Sequence, residues 1–450
     1  MTSRRRTSIA LAAAAATALA LPAAAPAANY PPPANPGASQ GKPRGPFRTV
    51  TVCAPKARKA KRCVRSIQKA VNRARPGDTV RLTNGTYRQS VKIFGARKRY
   101  LRLVGNPKDP SKVVLDGARL RGAAKQNGVF IKDADQVTVK GITATHFNGN
   151  GFFVLNATGY TLTRLRAMQT GVYGVYAFNS RGGTMSDSVA AWNNDSGFYI
   201  GQTPPQSRPI RSFVRNVSAY GNVLGFSGTN MRYVTITRSR WFNNGLGIVP
   251  NALDSEKFAP PEDNEIVDND IFWNNFDYYK GAPFKLRKEA TGTPYPVGTG
   301  VLLFGGRRTR VEGNRVYGNF LVGVGGVQQV LLKQQDAQQL VGNVVRNNVF
   351  GAGGGDLNGR DLYYDGDGTD NCWGPNTTLS PNEPADDSTF AACPFTGANA
   401  FRQDTQAMAL AWAIDPQESH WIRHGHAPKP GYTPLETYVP GQTPMEQPSK

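Results

Sequence analysis

Long hydrophobic runs are missing from the 450-residue sequence. The most apolar stretch, from Ile9 to Leu21, is too short to cross a membrane, so a transmembrane protein is not expected. Because three arginines precede this stretch and small residues follow it near Ala28, it is typical of a secretory signal peptide. We therefore expect a signal peptide over residues 1–28 and a mature protein that is secreted or associated with the cell wall.

Cysteine is scarce, with four residues in the whole chain. No two cysteines are separated by two residues, which argues against a cysteine-based zinc site. In an exported protein four cysteines favour disulfides, although four free thiols are the alternative. Of the three pairings we predict the local one, Cys53 with Cys63 and Cys372 with Cys393. Each bond would close a short loop and contribute roughly 2–4 kcal/mol.

Acidic residues are nearly absent from one part of the sequence. Between Lys42 and Lys125 there are 24 Lys and Arg residues but only three acids, and the whole chain has a net charge of +23. A field of this size would concentrate polyanions near one end of the molecule. We expect the partner to be an acidic polysaccharide or an anionic cell-wall polymer, with nucleic acid disfavoured. A solvated surface that only keeps the protein soluble is the alternative.

Glycine, in contrast, is abundant, and its 49 residues favour a turn-rich β architecture. The hydrophobic fraction of 39% and the charged fraction of 19% are normal for a globular protein, which excludes wholesale disorder.

A repeat is visible once the segment "RSRWFNNGLGIVPNA", which begins at Arg238, is compared with the rest of the chain. Eight segments share a short alternating strand, a polar step, a second short strand, Asn or a substitute, and then an apolar strand. Self-similarity at 20–30 residues without a helical pattern predicts a β-solenoid. The second polar position of the turn gives these markers: Asn148, Thr170, Asn194, Asn222, Asn244, Asn275, Asn319 and Asn348.

Stacked coils explain the repeated asparagines. Equivalent residues of neighbouring coils lie about 4.8 Å apart, so their amides can hydrogen-bond along the stack. Asn also tolerates the left-handed backbone that such a turn needs. Aromatic residues beside the turns are expected to stack in a neighbouring interior column: Trp192, Tyr220, Phe242, Trp273, Tyr317 and Phe350. An antiparallel β-sandwich with Asn-Gly turns is the competing fold.

These features resemble the right-handed parallel β-helix proteins of the pectate-lyase-like superfamily, over roughly residues 64–375. The segment "SIQKAVNRARPGDTVRLTNGTYRQSVKI" is similar to the capping helix and first coil of such proteins, with Ile67, Ala70, Val71 and Ala74 on one helical face. The resemblance implies an all-β fold with a short N-terminal capping helix, which would cover the open strand edge.

The predicted domain organisation has four parts. A Pro-rich linker over residues 29–50 follows the signal peptide, and residues 51–375 form the parallel β-helix with its basic N-terminal cap. Residues 376–450 form an irregular C-terminal segment with a Pro-rich tail.

Four insertions interrupt the repeat and are where we expect function, because solenoids place loops along one flank. Those at residues 202–209, 250–263 and 325–338 follow the same strand of their coils. The fourth, at 276–298, leaves from the preceding turn. Loops that repeat at one corner could wall a groove for an extended polymer.

The fourth insertion contains the candidate catalytic residues. Lyases and epimerases of uronate polymers, which this fold resembles, remove the proton next to a carboxylate with a basic side chain, and a cation stabilises the developing enediolate. Lys280 or Lys285 is the candidate base, Tyr278 or Tyr279 the candidate acid, and Arg287 a candidate cation. A solvated loop without chemistry is the alternative.

Three carboxylates are candidates for substrate binding: Asp254 and Glu256 of the second insertion, which could lie opposite the fourth, and Asp277 of the fourth insertion. Paired carboxylates could instead run glycoside hydrolysis or bind Ca²⁺.

The segment "YYDGDGTDNCWGPN" is a candidate calcium loop. Asp365, Asp367 and Asp370 alternate with glycine as in Ca²⁺-binding loops, although the Glu that closes an EF-hand is absent and Cys372 also suits a pinned surface loop. Ca²⁺ is the one cofactor that the sequence suggests.

Family catalytic signatures are missing, including an Asp-Pro-His-Glu run and the paired aspartates of polygalacturonases. No family catalytic residue can therefore be transferred, and a shared fold does not imply an activity. The sequence predicts a monomeric protein that binds an acidic polysaccharide and either cleaves it by lyase-like β-elimination or epimerises it. A non-catalytic wall-binding or adhesion module is the main alternative. An accessory protein for copper-enzyme maturation lacks a Met/His array here.

Overall fold

The computed structural model describes residues 40–55, 63–276, 295–351 and 355–414. The predicted signal peptide lies outside these residues. Within them, no helix is both long and apolar enough to cross a membrane.

The backbone winds into a right-handed parallel β-helix, as the repeat predicted. Each complete coil contributes one strand to each of three parallel sheets, called here A, B and C in chain order. Two long strands, β8 (Val137–Thr145) and β10 (Thr158–Met168), turn the A–B corner without a break and join A and B into one 19-stranded sheet.

The remaining strands of this joined sheet are short. Those of sheet A are β1 (Thr49–Val52), β2 (Thr79–Leu82), β5 (Arg102–Val104), β12 (Arg181–Ser186), β15 (Ser212–Arg215), β18 (Val234–Thr237), β21 (Glu265–Val267), β25 (Arg310–Glu312) and β29 (Val344–Arg346). Those of sheet B are β3 (Gly85–Tyr87), β6 (Val113–Asp116), β13 (Val189–Ala191), β16 (Ser218–Tyr220), β19 (Arg240–Phe242), β22 (Asp270–Phe272), β26 (Arg315–Tyr317) and β30 (Val349–Phe350).

Sheet C has ten strands, which follow the B–C corner. They are β4 (Val91–Phe94), β7 (Asn127–Lys132), β9 (Asn150–Leu155), β11 (Val175–Phe178), β14 (Ser196–Gly201), β17 (Leu224–Thr229), β20 (Leu246–Asn251), β23 (Thr299–Phe304), β27 (Val322–Val327) and β31 (Leu362–Tyr364). A separate pair joins β24 (Gly306–Arg307) to β28 (Leu340–Val341).

A short helix, α1 (Ile67–Arg73), closes the N-terminal end of the stack. The Ser66 hydroxyl caps it by accepting a hydrogen bond from the Lys69 backbone N–H. The predicted apolar face is buried as expected, and Lys98 Nζ donates to three carbonyl oxygens at the C-terminal end of the helix. The capping helix predicted from the sequence is therefore confirmed.

The core lies inside the coils. Successive side chains of a strand point to opposite faces of the sheet, so every second side chain points into the core. In sheet B, Trp241, Ile271, Val316 and Phe350 stack in register and are fully buried. Because every layer repeats the same inward positions, the core extends along the whole axis instead of surrounding one centre.

Asparagine ladders run along the corners, but not all of the predicted markers belong to the same one. At the B–C corner, side-chain amides donate to the next coil at 2.9–3.1 Å from Asn193 through Asn222, Asn244, Asn274 and Asn319 to Asn358. Thr170 begins this column by donating to Asn193. A second ladder at the A–B corner joins Asn269, Asn314, Asn348 and Asn376.

Four of the eight predicted markers do not belong to the B–C ladder. Asn194 and Asn275 are each one residue past the ladder position, Asn348 belongs to the A–B ladder, and Asn148 is exposed. The left-handed backbone also falls on the residue before the ladder position, as at Asn243 with φ of 52°. Ladder asparagines are thus used for their amides and not for their backbone preference.

The predicted interior aromatic column is wrong in its placement. Tyr220, Phe242, Phe272 and Tyr317 do stack at 4.9–5.4 Å, but on the outer face of sheet B. The inner position of each of these strands is the preceding residue, as Trp241 shows. Phe350 occupies that inner column and does not join the outer stack.

Both predicted local disulfides are present, Cys53–Cys63 near the first coil and Cys372–Cys393 near the last. Beyond the second disulfide-bonded loop, helix α2 (Gln403–Ile414) packs Trp412 against Tyr363 on the outer face of sheet C.

Candidate functional site

The predicted catalytic residues lie in a segment outside the described residues. This applies to Tyr278, Tyr279, Lys280, Lys285 and Arg287, and also to Asp277. The described residues that flank the segment, Phe276 and Val297, are buried in the outer cluster beside the aromatic stack, where Phe276 contacts Trp192 edge to face at 5.9 Å. The fourth insertion therefore leaves from and returns to the B–C corner.

The other three insertions emerge together at the C–A corner. The Lys257 backbone N–H donates to Gln202 Oε1 at 2.8 Å, and the Lys333 backbone N–H donates to Asp254 Oδ2 at 2.7 Å. These contacts link each loop to the next one along the axis. The described loops thus pack against one another, and Asp254 is an exposed side chain that tethers two of them.

Most acids of the second insertion and the strand after it are engaged by arginines. Arg232 is buried and its Nε lies 2.6 Å from Glu262, while Arg308 contacts both Glu262 and Asp263. Glu265 faces Arg211 and Arg310 at 3.6 and 3.5 Å. These three carboxylates therefore hold neighbouring coils together through ion pairs.

Glu256 is different from its neighbours. Its Oε1 accepts a hydrogen bond from the hydroxyl of buried Tyr199, while its Oε2 is buried and has no partner among the described residues. Burial raises the pKa of Glu256 to about 8, although the Tyr199 hydrogen bond acts in the opposite direction. Burial, and then the nearby Glu256 carboxylate, raise the pKa of Tyr199 well above its usual value.

Glycine is required where this carboxyl group meets the sheet. A Cβ on Gly201 would lie 2.7 Å from Glu256 Oε2 and closer still to the Tyr199 ring. Since Tyr199 is only 2% exposed, the pair fastens the second insertion to sheet C. Glu256 was predicted to bind substrate, and the described structure instead shows its carboxyl group packed inside the protein.

The candidate calcium loop also uses its carboxylates internally. Asp365 accepts from the backbone N–H groups of Gln328 and Asp367, Asp367 accepts from that of Leu340, and Asp370 from that of Gly397. Burial raises the pKa of Asp365 to about 7 and that of Asp367 to about 6. Across the described ranges no three His, Cys, Asp or Glu side chains are grouped to hold a metal ion. The structure does not bring the three aspartates together as ligands.

The basic cap keeps its charge exposed to solvent. Of the 19 described Lys and Arg residues between Lys42 and Lys125, 16 are exposed, so their charge faces possible partners. Its acids are occupied: Asp78 is buried against Arg48, Asp109 pairs with Lys112, and Asp116 contacts His146.

A groove that sequence reasoning missed runs along the A–B corner, with a volume of about 1200 Å³. The loop at residues 107–111 forms part of its lining, and six successive corners line the rest. The predicted walls were long insertions at other corners, whereas these side chains come from regular coils. An excess of charged residues at the corner position of the repeat, such as Arg164, Asp187 and Arg238, was the available signal.

Several solved structures are similar to part of this chain. The A-module of the mannuronan C-5 epimerase AlgE4 from Azotobacter vinelandii is similar, with 17% identity, a TM-score of 0.48, and coverage of 70% of this chain and 90% of that chain. An alginate lyase from Paenibacillus sp. str. FPU-7 has 13% identity and a TM-score of 0.42 over 70% and 99% of the two chains. The corresponding values for pectate lyase Pel9A are 15%, 0.40, 79% and 82%.

No family model matches the sequence, and no curated protein matches it. Identities and scores of this size do not transfer an activity to this chain.

Proposed function

We propose that the protein is exported, binds an acidic polysaccharide through its cationic coils, and cleaves or epimerises that polymer by abstracting a proton next to a carboxylate. The observation that carries the binding step is the exposed positive surface of the N-terminal coils, where few of the described Lys and Arg side chains pair with an acid. Such a surface attracts a polyanion over distances up to about 10 Å at ordinary ionic strength.

Export is supported by the two disulfides, because disulfides persist mainly in oxidising environments outside the cytosol. The predicted signal peptide and wall association are part of the same proposal.

The proposed chemistry uses the fourth insertion. Lys280 or Lys285, in its neutral form, takes the proton next to the sugar carboxylate, and Arg287 stabilises the enediolate that forms. For cleavage, the electron pair moves to form a C–C double bond and expels the glycosidic oxygen, which receives a proton from Tyr278 or Tyr279. For epimerisation, Tyr278 or Tyr279 instead donates its proton to the same carbon from the opposite face.

The test is incubation of the mature protein with a panel of uronate polymers, with and without Ca²⁺. New unsaturated ends are followed by their ultraviolet absorbance, and inverted sugar residues by NMR. Replacing the catalytic lysine, by Lys280→Ala or Lys285→Ala, is expected to lower the rate by about 100-fold or more. Lys257→Ala, an exposed lysine on another insertion, is the matched control and should leave the rate unchanged.

A non-catalytic wall-binding module is the second candidate. It is favoured by Glu262 and Asp263 of the second insertion, which are engaged in ion pairs instead of being free for chemistry. Retention on uronate polymers that weakens with salt, without any product, would select this candidate. Absence of both retention and product would reject the proposed function altogether.

A further inference from the structure

The groove at the A–B corner follows a continuous line of six corner residues, five of which have polar side chains. At each of six successive coils the chain turns the corner through one left-handed residue: Arg164, Asp187, Asn216, Arg238, Asp268 and Gly313. With coils about 4.8 Å apart, this line is about 24 Å long. That length suits several residues of an extended polymer.

Arg166 is the unusual side chain in this groove. It is the first residue of a sheet B segment, lines the cavity, and is 8% exposed. No hydrogen bond or ion pair to its guanidinium is formed by the residues that the structure describes. Because the Arg166 guanidinium lines the groove and has no acceptor among the described residues, its N–H groups are available to an anion there.

Exposed arginines follow Arg166 along the same line. Arg238 has a φ of 49°, where an L side chain with a Cβ is disfavoured, and neighbouring coils place Asn216 and Asp268 at the equivalent position. Its side chain is exposed and, within the described ranges, makes no ion pair. An arginine at a position that suits Asn or Asp adds charge at a conformational cost.

Acids in the groove are mostly oriented by neighbours. Asp187 accepts hydrogen bonds from Thr163, Ser186 and Asn216, and Asp270 lies 2.6 Å from Arg315. Held carboxylates of this kind can accept hydrogen bonds from sugar hydroxyls, and arginines match carboxylates through paired N–H groups. A purely phosphate-binding surface has no use for the acids.

We propose that the A–B groove is a binding site for a carboxylate-bearing oligosaccharide, with Arg166 as the buried anchor for one carboxylate and Arg238 as a second contact. The ligand class rests on the proposed function. The location is independent of the fourth insertion, since every residue used here belongs to the regular coils. The site therefore lies at a different corner from the one at which the fourth insertion leaves the coils.

The test measures binding of purified oligogalacturonates and oligomannuronates by calorimetry, beside the same oligomers with their carboxyl groups reduced to alcohols. Arg166→Met keeps the apolar stem and is expected to weaken binding about tenfold or more. Arg238→Asn should weaken binding while folding normally, because Asn suits the left-handed corner. Arg215→Met, an exposed arginine outside the groove, removes the same charge and serves as control.

Several outcomes would overturn the groove site. Equal binding by Arg166→Met, Arg238→Asn and the control would place the ligand elsewhere and leave the proposed function intact. Equal affinity for intact and carboxyl-reduced oligomers would remove the carboxylate anchor. Displacement of the oligomers by polyphosphate at the same concentration would show a general anion surface. Should Arg166→Met fail to fold, Arg238→Asn decides the question. No binding by the wild-type protein would reject the polysaccharide function itself.

Discussion

At the scale of single residues, burial changes the chemistry of Glu256. One of its carboxyl oxygens contacts Tyr199 and the other has no partner in the described structure, so the neutral form is favoured in the fold. The folded protein therefore holds a proton that the unfolded chain releases at a lower pH.

This difference predicts a pH-dependent stability. Since the pKa of Glu256 rises from an ordinary value of 4.5 to about 8 on folding, the free energy of unfolding falls as the pH increases between these values. The slope is up to about 1.4 kcal/mol per pH unit for one proton. Glu256→Gln should remove this part of the slope in urea unfolding measured from pH 4 to 9.

The comparison must be with wild type at each pH, because Asp365 and Asp367 also have raised pKa values and add slopes of the same sign. Asp254→Asn, a neutral replacement on the same loop, is the matched control. An unchanged pH slope in Glu256→Gln would show that the carboxyl group is solvated.

Residue roles could be predicted from the sequence only where a pattern is unambiguous. Thr170, Asn222, Asn244 and Asn319 were assigned correctly to the ladder, whereas adjacent polar pairs misled the assignment by one position. The ladder position is the residue that follows the left-handed one. Trp192 and Trp273 are left-handed although tryptophan rarely adopts this backbone conformation, so the sequence does not reveal the position.

At the scale of the elements, the coils are joined by amide ladders as well as by strand pairing. Asn244 donates to Asn274 and to two carbonyl oxygens, and it accepts from the backbone and side chain of Asn222. A ladder amide therefore satisfies polar groups of three successive coils at once.

Removing one ladder amide should destabilise the fold. Asn244→Ala leaves several buried groups without partners, and we expect a loss of about 3 kcal/mol in the free energy of unfolding. The adjacent Asn243 is left-handed and its Oδ1 has no partner in the described structure, so Asn243→Gly should cost less than about 1 kcal/mol. Equal losses in the two variants, measured by chemical denaturation, would contradict the role of the ladder.

Strand positions explain why the aromatic stack was placed on the wrong side. The sequence shows adjacent bulky residues at Trp241 and Phe242, and only one of them can point inward. The surrounding sequence does not show which of the two points inward, because the outer face of sheet B is also buried here by other segments.

At the scale of the whole molecule, the positive charge and the groove occupy largely different stretches of the β-helix axis. The cationic coils lie at the N-terminal end, and the A–B groove extends from the 107–111 loop to the coil of Arg315. The coil repeat and its parallel stacking could be predicted from the sequence. The groove could not, because its lining residues are separated by more than 200 positions and converge only through the coil register.

The most direct measurement is a crystal structure of the wild-type protein with a bound oligouronate. We expect ligand density along the A–B corner, with one sugar carboxylate within hydrogen-bonding distance of the Arg166 guanidinium. Density confined to the outer face of sheet C or to the cationic cap, with an empty A–B corner, would contradict it.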